Sequence, residues 1–143
     1  MNDLPITIRP AVDTDYGYIL ATWTRSHHKV HPFNFISNDL YFPYQTKLIN
    51  KILAKATTMV VCLDDEPNQI VGYVVYENYA NDIVIHHAAV KGIFRRLGIM
   101  RFLLKEIGAV DKSLIVTHYF DLFKKIRDKY KLIYDPIFLE RYL

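Results

Sequence analysis

V-K-G-I-F-R-R-L-G-I-M, residues Val90–Met100, is the stretch whose reading decides the fold. Before it, Asp82 to Val90 is rich in apolar and β-branched residues, as a central strand requires. Beyond Gly98 the apolar positions become Met100, Leu103, Leu104 and Ile107, the spacing of one helix face, and Gly108 stands where that helix should end. The segment is therefore a strand end, a glycine-containing turn and a helix start. The first amides of a helix lack intrahelical partners and the helix dipole adds partial positive charge, so such a start is a seat for an anion such as a pyrophosphate. Lys91, Arg95, Arg96 and Arg101 bring cations to it, and Gly98 allows close approach of the backbone. A solvated helix start is the competing reading of Arg95 and Arg96.

Working outward, Ile6 to Arg9 alternates and ends at Pro10, a first strand, after which Asp13 or Thr14 caps a helix bearing Tyr16, Ile19, Leu20 and Trp23 and ending near Arg25. Ser26 to Pro43 has no period and reads mainly as a loop with structure at its end. Tyr44, Leu48, Ile49, Ile52 and Leu53 then mark a second helix, with Lys47, Lys51 and Lys55 on its other face. Thr58 to Leu63 and Ile70 to Glu77 form a hairpin across the polar connection Asp64 to Asn68. Downstream, Ser113 to Thr117 is a short buried strand and Asp121 to Tyr130 a helix. Leu132 to Tyr134 and Ile137 to Tyr142 read as two last strands broken by Pro136. The order β-α-α-β-β-β-α-β-α-β-β predicts one α/β (α+β) domain over residues 1–143.

Composition narrows the function classes. The 143 residues are 51% hydrophobic and 23% charged, enough for one continuous core. No apolar run approaches the length of a membrane span, and no leader-like segment precedes Ile6, so a soluble, cytoplasmic chain without a membrane partner is expected. Cys62, the single cysteine, lies in an apolar run and reads as a core residue. The net charge of +3 is a mild excess suited to an anionic ligand. The basic helix from Arg95 to Lys105 raises nucleic acid as a partner, but no reading motif accompanies it. His27 and His31 have the spacing of a metal pair, yet Pro32 follows and no cysteine or acid is spaced with them, so no metal is expected.

On these residues the segment resembles the coenzyme A loop of the GNAT acetyltransferase superfamily, whose pattern is Arg or Gln, two residues, Gly, one residue, then Gly or Ala. Arg95, Gly98 and Met100 occupy those positions, Met100 being the larger residue, and Val90, Phe94, Leu103 and Leu104 match its surroundings. The opening I-R-P-A-V-D-T-D and the element order carry the resemblance over nearly the whole chain. W-T-R-S at Trp23 to Ser26 and the Pro32-Phe33 pair are similar to GNAT-like proteins of tailed bacteriophages. The resemblance implies a central, mostly antiparallel twisted sheet with about four helices. It also implies acetyl-coenzyme A as acyl donor, held by Arg95, Arg96, Leu97, Gly98, Ile99, Met100 and Arg101, with amides of Ala88, Ala89 and Val90 near the thioester carbonyl.

An amine acceptor must lose a proton, and a neutral His or a carboxylate must reach it directly or through water. His86 and His87 are the nearest titratable residues on the strand before the loop. Alternation allows only one of them into the cleft. His86 is favoured, sharing parity with Ala88 and Val90, and a packed histidine is the competing reading. Glu77, ending the preceding strand, is the second candidate. The family's thiolate-protonating Tyr falls near Phe123, leaving Tyr119 or Tyr130 as substitutes. Trp23, Phe33, Phe35 and Tyr41 would line the acceptor side, with core packing as the alternative for each. Two functions follow: N-acetyl transfer to a small-molecule or protein amine, or a GNAT-like fold with little or no turnover that binds a phage or host protein through its aromatic surface.

Overall fold

The computed structural model describes residues 5–109, 112–118 and 130–143. It contains strands β1 (Ile6–Pro10), β2 (Thr57–Leu63), β3 (Ile70–Tyr79), β4 (Asp82–Val90), β5 (Leu114–Val116) and β6 (Leu132–Tyr134). Among the described residues the α-helices are α1 (Tyr16–His28), α2 (Asn38–Lys55) and α3 (Ile99–Glu106). Residues 121–129 of the expected fourth helix lie outside the described residues, as do Tyr119 and Phe123. No described helix is long and apolar enough to cross a membrane.

The strands lie in the order β1-β2-β3-β4-β5-β6 in one sheet. The first four are antiparallel to their neighbours, and β4, β5 and β6 are parallel. One face is covered by α3, whose Ile99, Leu103 and Leu104 pack with Val61, Val74, Ile83 and Ile85. The other face carries α1 and α2, whose Ile19, Trp23, Ile49 and Ile52 pack with Val60, Tyr73, Val75 and Val84. Two hydrogen bonds tie this layer together: Tyr41 donates to the Thr24 carbonyl at 2.7 Å, and the Tyr73 and Thr22 hydroxyls lie 2.6 Å apart.

Several expected elements change in extent or type, β3 among them, which runs on to Tyr79. The first helix runs past Arg25 to His28, because His27 is buried beside Trp23 and Thr24 and extends the apolar face by one turn. Structure within Ser26 to Pro43 is more extensive than expected: α2 starts at Asn38 after an extended Ser37 and continues through Pro43. Tyr41, Gln45, Leu48, Ile49, Ile52 and Leu53 are its buried positions, so core contacts outweigh the amide that Pro43 withholds. Ile137 to Tyr142 is a 3-10 turn spanning Pro136–Tyr142, not a strand. Pro136 supplies the fixed φ of a helical first position, and the Asp135 carboxylate accepts from the Ile137 amide at 3.1 Å. The turn buries Phe138 and Tyr142, four residues apart, in the α1–α2 layer.

Strand β4 is irregular. Its register with β3 pairs Tyr76 with Ile85 but Val75 with His87, so His86 is an extra residue. The bulge resets the alternation of side chains. Ile83, Ile85 and Ala88 belong to the α3 layer, whereas Val84 and Ala89 pack in the α1–α2 layer. His86 meets the rings of Phe138 and Tyr142, and His87 those of Trp23 and Tyr73, so both imidazoles lie on the α1–α2 face. The expectation that His86 shares a face with Ala88 and Val90 assumed a regular strand and does not hold.

Candidate functional site

The site begins where two strands part. β4 pairs with β5 only from Ile83 to Ile85, the last ladder bond running from the Thr117 amide to the Ile85 carbonyl at 3.1 Å. Beyond it, His86 to Val90 has no described strand on that side. The Lys91 amide bonds the Val71 carbonyl of β3 at 2.8 Å, and backbone groups alternate along a strand. Ala89 therefore faces β3, whereas the amides of Ala88 and Val90 face the open edge. The Val90 carbonyl accepts from Arg95 Nε at 3.2 Å, which folds the loop back onto the strand end.

The loop places its residues unevenly. A short 3-10 turn at Gly92–Phe94 follows β4, and Gly98 caps α3 with φ 80°, a left-handed conformation that Gly adopts without steric cost. Arg95, Arg96 and Arg101 are exposed around that helix start, with Leu97 at its rim. Ile99 is buried against Gly72, where a side chain would lie within 3.1 Å of the Ala89 carbonyl and 3.3 Å of Ile99 Cγ2. Met100 is only 9% exposed and belongs to the α3 core layer. The bulk that distinguishes it from Gly or Ala is absorbed by the core.

Glu77 and His86 come together on the other face. His86 Nε2 lies 2.6 Å from Glu77 Oε2, and Nδ1 lies 2.8 Å from Thr117 Oγ1. Thr117 Oγ1 is also 3.1 Å from His118 Nδ1, and the Tyr142 hydroxyl donates to the Glu77 carboxylate. His86 is fully buried, whereas the Glu77 side chain retains 20% exposure. Burial lowers the pKa of His86, partly opposed by its contact with Glu77, so the imidazole is neutral near pH 7. Burial also pushes His87 down to about 3 and His118 well below its ordinary value, with His27 adding repulsion.

Of the residues read from sequence, Glu77 and His86 meet, and Ala88, Val90 and the loop residues share the neighbouring edge. Trp23 and Tyr41 are core residues, leaving Phe33 half-buried and Phe35 exposed. Cys62 is buried, its thiol 3.7 Å from the Thr7 carbonyl. Among the described residues no three His, Cys, Asp or Glu side chains gather as a metal site. Thr117, His118 and Tyr142 join the site without being among the residues read for it from sequence; the polar Thr-His pair ending an apolar strand is a local signal for the first two, and Tyr142 has none.

No family model and no curated protein matches the chain by sequence. Its shape does match solved structures. A possible acetyltransferase from Clostridium difficile 630 superposes with a TM-score of 0.60 at 17% identity, over 88% of this chain and 87% of that one. A GNAT family acetyltransferase from Brucella melitensis in complex with acetyl-CoA gives 0.53 at 16% identity, over 85% and 80%. The PaiA N-acetyltransferase from Thermoplasma acidophilum in complex with coenzyme A gives 0.50 at 17%, over 71% and 69%. The chain has the fold of the GNAT acetyltransferases.

Proposed function

We propose that this protein transfers an acetyl group from acetyl-coenzyme A to an amine. The observation that carries the reading is the parting of β4 from β5 after Ile85, with strand amides along the opening that have no partner strand among the described residues and a carboxylate–imidazole pair at its apex. The donor's pyrophosphate would lie on the first amides of α3 among Arg95, Arg96 and Arg101. Its pantetheine arm would run along the β4 edge. Val90 and Ala88 would offer their amides to that arm and to the thioester oxygen, where the transition state gathers negative charge. Two structural neighbours are complexes, one with acetyl-CoA and one with coenzyme A.

Glu77 is the better placed proton acceptor. His86 has both ring nitrogens engaged and no exposed surface, so it supports Glu77 from behind. The amine loses a proton to Glu77, directly or through water, and its nitrogen attacks the carbonyl. Collapse of the tetrahedral adduct breaks the carbon–sulfur bond and releases the coenzyme thiolate, which takes a proton from solvent or from an acid such as Tyr119. Positioning of the two reactants supplies much of the remaining acceleration.

Calorimetric titration with acetyl-coenzyme A tests the reading: binding is expected, and its absence would sink it. Among amine acceptors that are turned over, Glu77→Gln should lower kcat by roughly 10²-fold or more while binding the donor normally. A second reading, a fold of this type used to bind a phage or host protein, draws on exposed Phe35, Leu40 and Tyr44 near the start of α2. It becomes the stronger one if donor binding is absent.

A further inference from the structure

We infer that Thr117 is a positioning residue that fixes the tautomer of His86, so that a one-way chain of hydrogen bonds from His118 ends on Glu77. This rests on the acetyl-transfer reading for its catalytic meaning, though not for its geometry. An ionised carboxylate only accepts, so His86 Nε2 must carry the proton shared with Glu77 at 2.6 Å. A neutral imidazole has one N–H, which leaves Nδ1 as an acceptor for the Thr117 hydroxyl at 2.8 Å. With its hydrogen directed at His86, the Thr117 oxygen accepts from His118 Nδ1–H at 3.1 Å. Tyr142 closes the chain by donating to Glu77 from the C-terminal turn.

The inner members are deeply buried. Thr117, His86 and His118 are 1%, 0% and 1% exposed, and His118 packs edge-on against Trp23 with ring centroids 5.1 Å apart. Water has little access to any of them, so reversing one bond leaves a buried donor facing a donor, at the cost of an unsatisfied polar group. The burial that keeps His86 neutral agrees with this direction. Thr117 sits where β5 leaves β4, its amide making the last bond of the ladder. The residue that ends strand pairing therefore also orients the acid–base pair.

The test uses the full chain labelled with ¹⁵N-histidine, its imidazole resonances observed near pH 7.5 and assigned with His86→Gln and His118→Gln. His86 is expected as the Nε2–H tautomer and His118 as the Nδ1–H tautomer. Thr117→Val should turn His86 into a tautomer mixture, and Thr117→Ser should keep the single form. In acetyl transfer, Thr117→Val should lower kcat about tenfold with KM for the donor within about twofold, and Thr117→Ser should recover most of the rate. An Nδ1–H form of His86 in the unsubstituted protein overturns the inference even if Thr117→Val fails to fold. So does an unchanged tautomer and rate in a folded Thr117→Val. A protein that shows the expected tautomers but no acetyl transfer would defeat the functional reading and leave the role of Thr117 in place.

Discussion

Acidification from pH 7.5 to 5.0 should remove about 2 kcal/mol of folding stability through His87 alone. This imidazole is 3% exposed and lies parallel to Trp23, the rings 5.1 Å apart and 5° from coplanar. Burial pushes its pKa from 6.5 down to about 3, with repulsion from His27 acting in the same direction. The unfolded chain takes up a proton near 6.5, whereas the folded one holds His87 neutral until about 3. Between those values the unfolded state binds more protons. Stability from this group is thus complete above pH 6.5 and falls toward pH 3, by about 1.4 kcal/mol per pH unit. The 1.5 units from 6.5 to 5.0 give the figure of about 2. His86 and His118 are shifted in the same direction and steepen the loss. Urea titrations at the two pH values, followed by the fluorescence of the single tryptophan, measure it directly. His87→Phe keeps a ring against Trp23 and removes the titration, so its acid loss should be smaller by about 2 kcal/mol. Equal losses in the variant and the unsubstituted protein, within about 0.5 kcal/mol, would refute the reasoning.

Other expectations follow from the loop and its supports. Combining Arg95→Glu with Gly98→Asp puts two negative charges at the start of α3 and should weaken acetyl-coenzyme A binding at least about 100-fold by calorimetry, and the side chain placed at the φ of 80° should cost about 1 kcal/mol in thermal unfolding. Gly72→Ala forces a methyl to within 3.1 Å of the Ala89 carbonyl and 3.3 Å of Ile99. A loss of about 1–2 kcal/mol in urea unfolding is expected as α3 shifts outward. Asp15 is 4% exposed and accepts from Arg9 at 2.7 and 3.2 Å and from the Val12 amide at 2.8 Å, contacts that hold its carboxyl below the usual range. Asp15→Asn should cost about 1–3 kcal/mol in thermal unfolding, since it leaves Arg9 without its counter-charge.

Local pattern made much of the fold readable. The runs around Val60, Val74 and Val84 are strongly β-branched, and the change of period at Gly98 coincides with the observed cap of α3. What escaped depends on contacts distant in sequence. Pro43 argues against a helix when read locally, yet α2 passes through it because Tyr41 and Gln45 are buried against other elements. Ile137 to Tyr142 is apolar and aromatic enough to pass for a strand after Pro136, but Phe138 and Tyr142, four residues apart, turn onto the α1–α2 layer. The site shows the same division. Glu77 and His86 were readable as titratable groups beside a loop, while Tyr142, 65 residues from Glu77, has no local signature. Met100 departs from the loop pattern by size, and only the depth of the core beneath α3 shows where that size goes.

The extra residue in β4 also affects comparison with other proteins of this shape. Counting back from Gly98 and counting forward from Asp82 assign opposite faces to the same position, because the two halves of the strand are out of phase by one. An alignment that slides along β4 without a gap at His86 assigns every position on one side of the bulge to the opposite face of the sheet. Superposition of backbones, with the insertion fixed opposite Val75 and Tyr76, is the frame in which acid–base groups should be matched.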